Sequence, residues 1–551
     1  MATKKKPKYI FVVGGVLSGV GKGVTSASIG AIMKAKGFKA TILKADPYVN
    51  VDAGTMNPVE HGEVFVTDDK DETDQDMGNY ERFLDVDLTS LNYMTTGRVY
   101  QSVINNERSM KYKGKCVQVV PHIPQEIIGR IKRAQKHHNA EVVITEIGGT
   151  VGEYENILFL EAIRELAMDN PGDVAVVLVS YLPVPAHLGE MKTKPTQHAS
   201  RLLNQAGLQA DIIIARGPME LDKPRREKLA TFCGVPKEHC ISAPDVSSIY
   251  EIPVKMEQQQ LGNKLLKALQ MPVRKSNMEP WKNFVKRIRN AKKEVKIAVV
   301  GKYFGTGEFT LADSYISVIE AVKHAAWFND VKPVLEWVDS EEFSAQGGEN
   351  KSNKRVADVL KDYDGIIVPG GFGTRGIEGI IAAIQFAREK NIPYLGLCYG
   401  MQLACVEFSR NVLKKKGAHT VEVDDTADHQ IIIVNPFQAK NIEENKFGGT
   451  MRLGAYDCTL SAGSKVKDAY GKTKISERHR HRYEFNNDYR DEINKAGLKV
   501  VGINPESDLV EIVELENHPF FIGVQFHPEF KSRPMRPHPL FREFLKAAKE
   551  A

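Results

Sequence analysis

The sequence is poor in cysteine, lacks long apolar runs and carries little net charge. Its 551 residues include six cysteines, which lie far apart without a Cys-X-X-Cys pair. This spacing argues against a disulfide scaffold or a zinc ribbon and fits a reducing compartment. We find neither a signal peptide nor an apolar stretch of transmembrane length, so the cytoplasm is the expected location. A net charge of +5 argues against a dedicated nucleic-acid binder but allows polyphosphate binding.

An ordinary globular composition fills a chain that is too long for one hydrophobic core. Hydrophobic residues make up 42% of the chain and charged residues 26%, and this length suggests two or three domains. Apolar strands followed by helical patterns occur in both halves and predict α/β domains. We predict a first domain at residues 1–272, a linker at 273–294 and a second domain at 295–551.

The stretch 394–402 carries a pattern typical of an exposed nucleophile. An apolar run meets a Gly-X-Cys-X-Gly turn and then a helical pattern, as in the strand-to-helix elbow of hydrolytic enzymes. Cys398 is the candidate nucleophile, because the flanking glycines permit a strained turn and the helix start favours its thiolate. A buried strand–helix junction with an inert thiol is the alternative.

Two further motifs supply the partners that such a nucleophile needs. His527 and Glu529 follow an apolar strand, so the imidazole could take the thiol proton and the carboxylate could orient the imidazole. The apolar stretch 365–373 ends in glycines, whose free N–H groups could join that of Tyr399 in an oxyanion hole.

In order and spacing, these motifs resemble a class I glutamine amidotransferase domain. They are Pro-Gly-Gly-Phe-Gly (369–373), Gly-X-Cys-X-Gly-X-Gln (396–402) and His-Pro-Glu (527–529). The resemblance implies a flavodoxin-like α/β fold and the hydrolysis of glutamine to ammonia through a Cys398 thioester. It also implies that glutamine is bound by Gly371, Tyr399, Gly400, Met401, Gln402, Glu422 and Arg482.

A glycine-rich loop near the start of the chain predicts a phosphate site. The apolar run 9–13 precedes Gly-Gly-Val-Leu-Ser-Gly-Val-Gly-Lys-Gly (14–23), and residues 24–36 are predicted to be helical. Free backbone N–H groups, the helix N-terminus and the Lys22 ammonium together suit phosphates. The match to Gly-X4-Gly-Lys-Ser/Thr is imperfect, because Gly23 stands where a metal-binding hydroxyl is expected, so the metal site should lie elsewhere. A glycine-rich turn without a ligand is the alternative.

Carboxylates downstream of the loop are the candidate metal ligands. The acidic run 68–76 is either solvated surface or a source of the oxygen ligands that Mg²⁺ prefers. Glu146 is the better isolated candidate, because it ends the apolar run 142–144 and should point at the sheet edge where phosphates bind.

Two cationic stretches each have competing interpretations. The stretch Lys-Thr-Lys-Pro-Thr-Gln (192–197) is either an anion and base-edge site around a proline-fixed turn or a solvent-facing basic turn. Residues 476–484 alternate in a way that fits a strand with one solvated face. The sharper interpretation places an arginine opposite an anionic carboxylate.

The basic linker predicts an amphipathic helix and not a nucleic-acid patch. Trp281, Phe284, Val285 and Ile288 fall at positions i, i+3, i+4 and i+7, which forms one apolar stripe. We expect this stripe to pack against a neighbouring domain.

Taken together, the distinctive strings of both halves are similar to the CTP synthase family over essentially the full chain. They include Asp-Pro-Tyr-Val-Asn-Val-Asp (46–52), Glu-Ile-Gly-Gly-Thr-Val-Gly (146–152) and Glu-Arg-His-Arg-His-Arg-Tyr-Glu (477–484). The resemblance implies a P-loop-type, dethiobiotin-synthetase-like first domain. It further implies that MgATP phosphorylates O4 of UTP and that ammonia from glutamine replaces the phosphate to form CTP.

The same resemblance assigns roles to individual residues of the first domain. ATP would be held by Gly19, Val20, Gly21, Lys22, Gly23, Val24 and Asp245, and Mg²⁺ by Asp76 and Glu146. UTP would meet Ser18, Lys192, Lys194, Gln197 and Lys228, and Glu153 and Glu155 match positions that bind the feedback inhibitor CTP. The predicted nucleotide sites also include Lys44, Tyr154, Thr193, Pro195, Thr196, Pro244 and Val246.

The family resemblance also implies regulation and assembly. GTP is expected as an activator, and the chain is expected to form a homotetramer, a dimer of dimers, without a nucleic-acid or membrane partner. Two positions depart from the family pattern: Tyr399 is often leucine, and Pro244 is often lysine. The sequence therefore does not determine the shape of the glutamine pocket beside Tyr399. It also does not determine the edge of the ATP site beside Pro244.

Two other functions are compatible with parts of the pattern. One is a different ATP-dependent amidotransferase, such as a cobyrinic acid amidase, which would amidate a carboxylate. In such an enzyme, residues 192–197 would have no uracil ring to bind. A nucleotide and glutamine sensor, or a filament scaffold, would keep both folds without turnover, although intact Cys398, His527 and Glu529 argue against it.

Overall fold

The computed structural model describes residues 6–15, 17–56, 61–187, 189–302, 305–306, 309–310, 312–343, 349–435 and 451–551. Residues 448–450, which their glycines and polar neighbours predict to be a loop, and Val16 of the glycine-rich loop lie outside the described residues. Within them, no helix has the length and apolarity that crossing a membrane requires.

The chain divides into two compact units. The first comprises Met1–Ala53 with Thr73–Lys286, and the second comprises Gly54–Glu72 with Arg287–Ala551. The domain boundaries drawn at residues 272 and 295 stay predictions. Sequence analysis did not anticipate that residues 54–72 group with the second unit.

The first unit is built on a parallel sheet of seven strands. Because every strand of such a sheet is covered on both faces, its strands are continuously apolar, and Ile10 to Val13 and Val142 to Ile144 are indeed buried. In sheet order the strands are Tyr93–Thr95, Ala40–Asp46, Val142–Ile147, Lys8–Gly15, Val174–Tyr181, Ile212–Gly217 and Cys240–Pro244.

Helices follow the strands of this sheet. They are Lys22–Ala35, Asp76–Leu84, Thr96–Arg108, Val119–His138, Ile157–Asp169, Lys194–Gln205, Lys223–Cys233, Ile252–Gln258, Leu261–Ala268 and Glu279–Asn290. The last is the predicted amphipathic helix, and its Trp281 ring lies 5.2 Å from that of Phe83 while Phe284 lies 5.5 Å from Tyr250. The predicted packing of the apolar stripe is therefore confirmed for these two residues.

The second unit is built on a mixed sheet of nine strands. In sheet order these are Lys332–Asp339, Glu294–Gly301, Gly365–Val368, Tyr394–Leu397, Phe521–Val524, Val510–Leu515, Leu498–Ile503, Arg452–Leu460 and Lys474–His481. The first five are parallel, and the last four continue the sheet in antiparallel fashion. Glu477, Arg478 and His479 are buried in succession on the last strand, so the alternative of a strand with one solvated face is wrong.

The remaining elements of the second unit surround this sheet. Its helices are Ile316–Phe328, Glu349–Leu360, Ile377–Lys390, Tyr399–Asn411, Lys465–Tyr470, Arg490–Ala496 and Pro539–Glu550. A separate three-stranded sheet comprises Ala418–Thr420, His429–Val434 and Tyr483–Phe485. Short strands occur at Phe65–Val66, Glu72–Thr73, Gly305–Thr306 and Phe309–Thr310. The predicted α/β class, with a parallel-sheet first domain and a second α/β domain, is confirmed.

Strand order brings the candidate residues of each unit to one sheet edge. In the first unit, strands ending at Gly15, Asp46 and Ile147 are neighbours, so the glycine-rich loop, Lys44 and Glu146 converge where α/β sheets bind ligands. In the second unit, the strand before Cys398 lies between the strand before Gly370 and the strand before His527.

Candidate active sites

Cys398 lies on a strained elbow between a strand and a helix. Its φ of 51° and ψ of −97° belong to a region that L-residues rarely adopt, and such strain persists only where the surroundings hold it. The N–H of Cys398 donates to the Val524 carbonyl at 2.7 Å, and the next helix begins at Tyr399. The backbone therefore places the sulfur at the helix N-terminus, as the sequence pattern predicted.

Glycine is required around the elbow because backbone and ring atoms approach closely. A Cβ at Gly400 would lie 2.3 Å from the Val368 carbonyl oxygen. A Cβ at Gly370 would lie 2.7 Å from Cε1 of the His527 ring. The two glycine motifs are thus packed against each other and against the catalytic histidine candidate.

His527 and Glu529 form a buried pair. His527 Nδ1 donates to Glu529 Oε1 at 2.7 Å. Burial lowers the pKa of His527, but the Glu529 carboxylate and the Cys398 sulfur outweigh it and raise that pKa to about 10. The imidazole is therefore protonated at neutral pH.

The sulfur of Cys398 has polar neighbours, unlike an inert core thiol. Gln525 Nε2 lies 3.7 Å from Sγ and donates to it, and Sγ lies 3.9 Å from the Arg480 carbonyl oxygen. Cys405, seven residues further along the same helix, shows the contrasting case, since burial raises its thiol pKa to about 12. The surroundings favour the nucleophile interpretation of Cys398 over the inert one.

Several of the predicted glutamine residues contact one another or the backbone around this elbow. Gln402 Nε2 donates to the Tyr483 carbonyl at 3.0 Å, and Glu422 Oε1 accepts from the Gly373 N–H at 2.7 Å. Burial raises the pKa of Glu422, while the charge of Arg482 acts in the opposite direction. A Cβ at Gly371 would lie 3.6 Å from the Tyr399 ring, which places those two residues side by side.

Lys302 contacts the same glycine motif and the Tyr399 ring, and it was missed by sequence analysis. Its Nζ donates to the Gly373 carbonyl at 2.6 Å and lies 5.0 Å from the centre of the Tyr399 ring. Burial lowers the Lys302 pKa to about 8, against the effect of Glu422. Tyr399 also donates its phenol to the Gly373 carbonyl at 3.0 Å, a bond that the leucine common in relatives could not make. The sequence signal that could have identified Lys302 is its position directly after Gly301, at the end of an apolar strand.

In the first unit, the glycine-rich loop joins a strand to a helix as predicted. Gly19 and Gly21 have φ of 70° and 85°, and the helix begins at Lys22, two residues earlier than predicted. Lys22 Nζ donates to the Gly149 carbonyl at 2.7 Å. Burial lowers the pKa of Lys22 despite the nearby Glu146 carboxylate, so this ammonium is held in a partly desolvated position.

The structure explains why glycine replaces the expected hydroxyl at position 23. A Cβ on Gly23 would lie 1.9 Å from Asp76 Oδ1. The Asp76 carboxylate therefore fills the space that a serine or threonine side chain would need. A carboxylate from another element has taken the place of the loop hydroxyl.

Four carboxylates surround the Lys44 ammonium. Lys44 Nζ lies 3.1 Å from Glu146, 3.6 Å from Asp74 and 3.7 Å from Asp46, and it is bonded to Asp76. Burial lowers the Lys44 pKa, but these carboxylates raise it well above its ordinary value. Burial also raises the Asp46 pKa to about 8, and Asp46 Oδ2 has no hydrogen-bond partner among the described residues. This excess of oxygen ligands over positive charge fits a divalent cation.

Arg216 is a second residue that sequence analysis missed. It donates to the carbonyls of Ala243 and Pro244 at 2.7 and 3.2 Å, and its Nη2 lies 3.0 Å from Asp245 Oδ1. A Cβ at Gly21 would lie 3.5 Å from Arg216 Nε. Arg216 thus lies between the glycine-rich loop and the predicted ATP-binding stretch of Pro244, Asp245 and Val246.

The stretch 192–197 starts a helix and does not form the predicted turn. The helix is Lys194–Gln205, with Pro195 in its first turn, where a missing N–H costs nothing. Thr196 is buried against Ser180, their hydroxyls 2.8 Å apart, and Gln197 donates to Thr193 at 3.1 Å. Lys192 pairs with Glu190 at 3.0 Å.

Other predicted nucleotide residues lie at the surface of the first unit. Ser18, Glu155 and Lys228 are exposed, and the Tyr154 side chain is 91% exposed. Glu153 accepts from the N–H and hydroxyl of Thr150 at 2.9 and 2.6 Å. Of these residues, Glu153 lies near Lys22, because a Cβ at Gly149 would lie 2.4 Å from its Oε2 and the Gly149 carbonyl accepts from Lys22.

Comparison with known proteins covers both units. A family model described as CTP synthase N-terminus matches residues 8–271, and one described as glutamine amidotransferase class-I matches residues 310–547. The chain is 49% identical over 541 residues to a CTP synthase of Caldanaerobacter subterraneus subsp. tengcongensis, covering 98% of each chain. It is 49% identical over 542 residues to a CTP synthase of Carboxydothermus hydrogenoformans, again covering 98% of each. The matches in both halves and the near-complete coverage mean that the chain belongs to the CTP synthase family.

Proposed function

We propose that this protein forms CTP from UTP, using ATP and ammonia released from glutamine, in pyrimidine nucleotide biosynthesis. The observation that carries the proposal is the Cys398–His527–Glu529 arrangement within a chain whose other unit holds a phosphate-type loop beside a carboxylate cluster. Because the chain belongs to the family over its whole length, we assign both halves to one overall reaction.

In the second unit, Cys398 acts as the nucleophile. Because His527 is protonated at neutral pH and its charge favours a sulfur anion, the sulfur is ready to attack the side-chain carbonyl of glutamine. The N–H groups of Tyr399 and Gly371 are the proposed donors to the oxyanion. His527 gives its proton to the leaving nitrogen, ammonia departs, and water then hydrolyses the thioester to glutamate.

In the first unit, the proposed ligands of Mg²⁺ are Asp76 and Glu146. The cation, when bound with ATP, would neutralise charge on the transferred phosphoryl group. The loop 19–24 and Asp245 are proposed to bind ATP, and Lys192, Lys194, Gln197 and Lys228 to bind UTP. Lys22 donates to the Gly149 carbonyl here, and its ammonium has further N–H donors for phosphate oxygens.

Regulation, assembly and location extend this proposal. We infer activation by GTP, feedback inhibition by CTP near Glu153 and Glu155, and a homotetramer in the cytoplasm. Family membership supports these inferences. The exposure of residues 153–155 supports the proposed site of CTP inhibition.

The decisive experiment supplies UTP, ATP, Mg²⁺ and glutamine and follows CTP by its ultraviolet shift. We expect CTP and glutamate in equal amounts. Glutamate without CTP would favour amidation of a carboxylate by a different amidotransferase. Neither product from a folded protein would favour a sensor or scaffold and refute the proposal.

A further inference from the structure

One segment of the second unit comes from the part of the sequence that otherwise builds the first. Residues 61–72, here called the crossing segment, follow the strand Ala40–Asp46 in the chain but belong to the unit of Cys398. The strand Lys474–His481, here called the arginine strand, is the last strand of the nine-stranded sheet. Sequence analysis treated the acidic end of the crossing segment as solvated surface or metal ligands.

Two carboxylates of the crossing segment pair with the arginine strand. Asp68 accepts from Nε of the fully buried Arg478 and from Lys531 Nζ at 3.3 Å. Burial raises the pKa of Asp68, but the charges of Arg478 and Lys531 outweigh it, so the pKa is lowered. Glu72 Oε1 accepts from Arg480 Nε at 2.8 Å, with both side chains largely buried. Such partly desolvated pairs fix geometry more firmly than exposed ones.

The same two arginines contact the candidate catalytic residues through their backbone. The Arg478 carbonyl accepts from the His527 N–H at 2.8 Å. The Arg480 carbonyl lies 3.9 Å from the Cys398 sulfur. Each arginine therefore links a carboxylate of the crossing segment to one member of the Cys–His pair.

An aromatic contact forms a third link. Phe65, fully buried in the crossing segment, packs edge-on against Phe530 with ring centres 5.0 Å apart. Phe530 in turn stacks on the His527 ring at 5.3 Å. The Arg478 guanidinium lies 5.3 Å from the Phe65 ring, so the ion pair and the aromatic contact share one side chain.

Separate contacts anchor the crossing segment itself. The buried Glu63 carboxylate accepts from the N–H and the hydroxyl of Ser317, at the start of a helix. The Ala455 N–H donates to the Asp68 carbonyl at 3.0 Å. A Cβ on Gly454 would lie 2.8 Å from that carbonyl oxygen, so glycine is needed for the approach. The segment is thus held by contacts independent of the arginine strand.

We propose that Phe65, Asp68 and Glu72 are positioning residues for the glutaminase centre, holding the arginine strand and Phe530 so that Cys398 and His527 stay in register. This inference rests on the proposed function of the second unit. Its physical basis is that a displacement of about 1 Å at reacting groups costs roughly 10²-fold in rate. None of the three residues touches substrate in this scheme, and each acts through Arg478, Arg480 or Phe530.

The test compares Asp68→Asn and Glu72→Gln with the wild type and with Asp69→Asn as the matched control. Asp69 carries the same charge one residue away, and its carboxylate accepts from Thr67 within the same turn. For the first two variants we expect kcat for glutamine hydrolysis to fall about 10- to 100-fold with KM changed less than about twofold. CTP formation from added ammonia should persist, and Asp68→Glu should recover part of the loss.

The rate at which iodoacetamide alkylates Cys398 is a second measurement. A change in fold stability alone would not alter this rate. If Cys398 and His527 lose their relative position, the imidazolium no longer stabilises the reacting sulfur, so the alkylation rate at pH 7 should fall about tenfold. Glutaminase rates equal to those of Asp69→Asn would overturn the inference, as would equal loss of glutamine- and ammonia-dependent activity. A wild type that releases no glutamate would instead refute the proposed function.

Discussion

The two candidate centres differ in what already neutralises their charges. In the second unit, Glu529 is bonded to His527 and a strained backbone holds Cys398, so the reacting groups stand together without a ligand. In the first unit, Lys22 is bonded to a carbonyl and Lys44 is surrounded by carboxylates. The cations that would meet phosphates are therefore already paired with oxygen atoms of the protein.

This difference predicts different sensitivities. A preassembled centre depends on the exact position of a few side chains, so single substitutions there should act on kcat. A centre whose charges are paired internally depends on charge balance, so substitutions there should act on nucleotide and Mg²⁺ binding. The difference between the two centres is tested best by substitutions in one unit that leave the reaction of the other unit intact. These reactions are glutamine hydrolysis and CTP formation from added ammonia.

The largest effect is expected for Cys398→Ala. Removing the nucleophile should abolish glutamine-dependent CTP formation, a loss of about 10⁴-fold or more, while CTP formation from added ammonia persists. Both rates are followed by ultraviolet absorbance. Cys405→Ala, in the same helix with an inert thiol, is the control. Loss of both activities in a folded Cys398→Ala protein would break the separation into two centres.

Lys22→Met is the corresponding change in the first unit. Losing the ammonium beside the glycine-rich loop should lower CTP formation from either nitrogen source about 10²- to 10³-fold. Glutamine hydrolysis should fall far less, because Cys398 and its partners are untouched. The exposed Lys39→Met serves as control. An unchanged KM for ATP together with an unchanged rate would show that the loop does not bind phosphate.

Glu529→Gln tests the charge pairing of the second unit. The folded pKa of His527, about 10, lies above the ordinary value of about 6.5. Protonation of His527 therefore adds stability that is complete below about pH 6.5 and is lost as the pH rises through about 10. Without the carboxylate this pKa should fall.

The measurement for Glu529→Gln is the thermal midpoint between pH 6 and 10, with glutaminase rates alongside. The variant should show a shallower decline with pH than the wild type and roughly 10²-fold slower glutaminase turnover. Glu506→Gln, at an exposed position, should leave both unchanged. Parallel declines in wild type and variant would mean that Glu529 does not hold the proton on His527.

The smallest effect is expected for Gly23→Ser, which restores the usual hydroxyl of a phosphate loop. Because its Cβ would meet Asp76 at 1.9 Å, we expect a loss of about 1–3 kcal/mol in the free energy of unfolding. Chemical denaturation measures it, and nucleotide binding should not improve. A stable variant with tighter MgATP binding would show that Asp76 moves aside easily and that the first centre is less tightly packed than the second.

Local patterns were enough to predict much of each centre. The elbow at Cys398, the His527–Glu529 pair and the glycine-rich loop depend on residues close in sequence, whose spacing dictates strand, turn and helix. The same holds for the amphipathic helix with Trp281. Where a pattern left alternatives, as at residues 476–484, burial in the sheet decided against a solvated face.

Sequence alone determined the α/β class of both units and supplied the candidate residues of each centre, because strand-loop-helix periodicity and glycine placement are local properties. Only the tertiary structure decided that Arg216 and Lys302 join the centres, that Asp76 fills the space beside Gly23, and that residues 61–72 pair with the arginine strand. These contacts join residues far apart in the chain, by as many as 410 positions for Asp68 and Arg478. No periodicity in a single chain encodes which distant carboxylate meets which arginine.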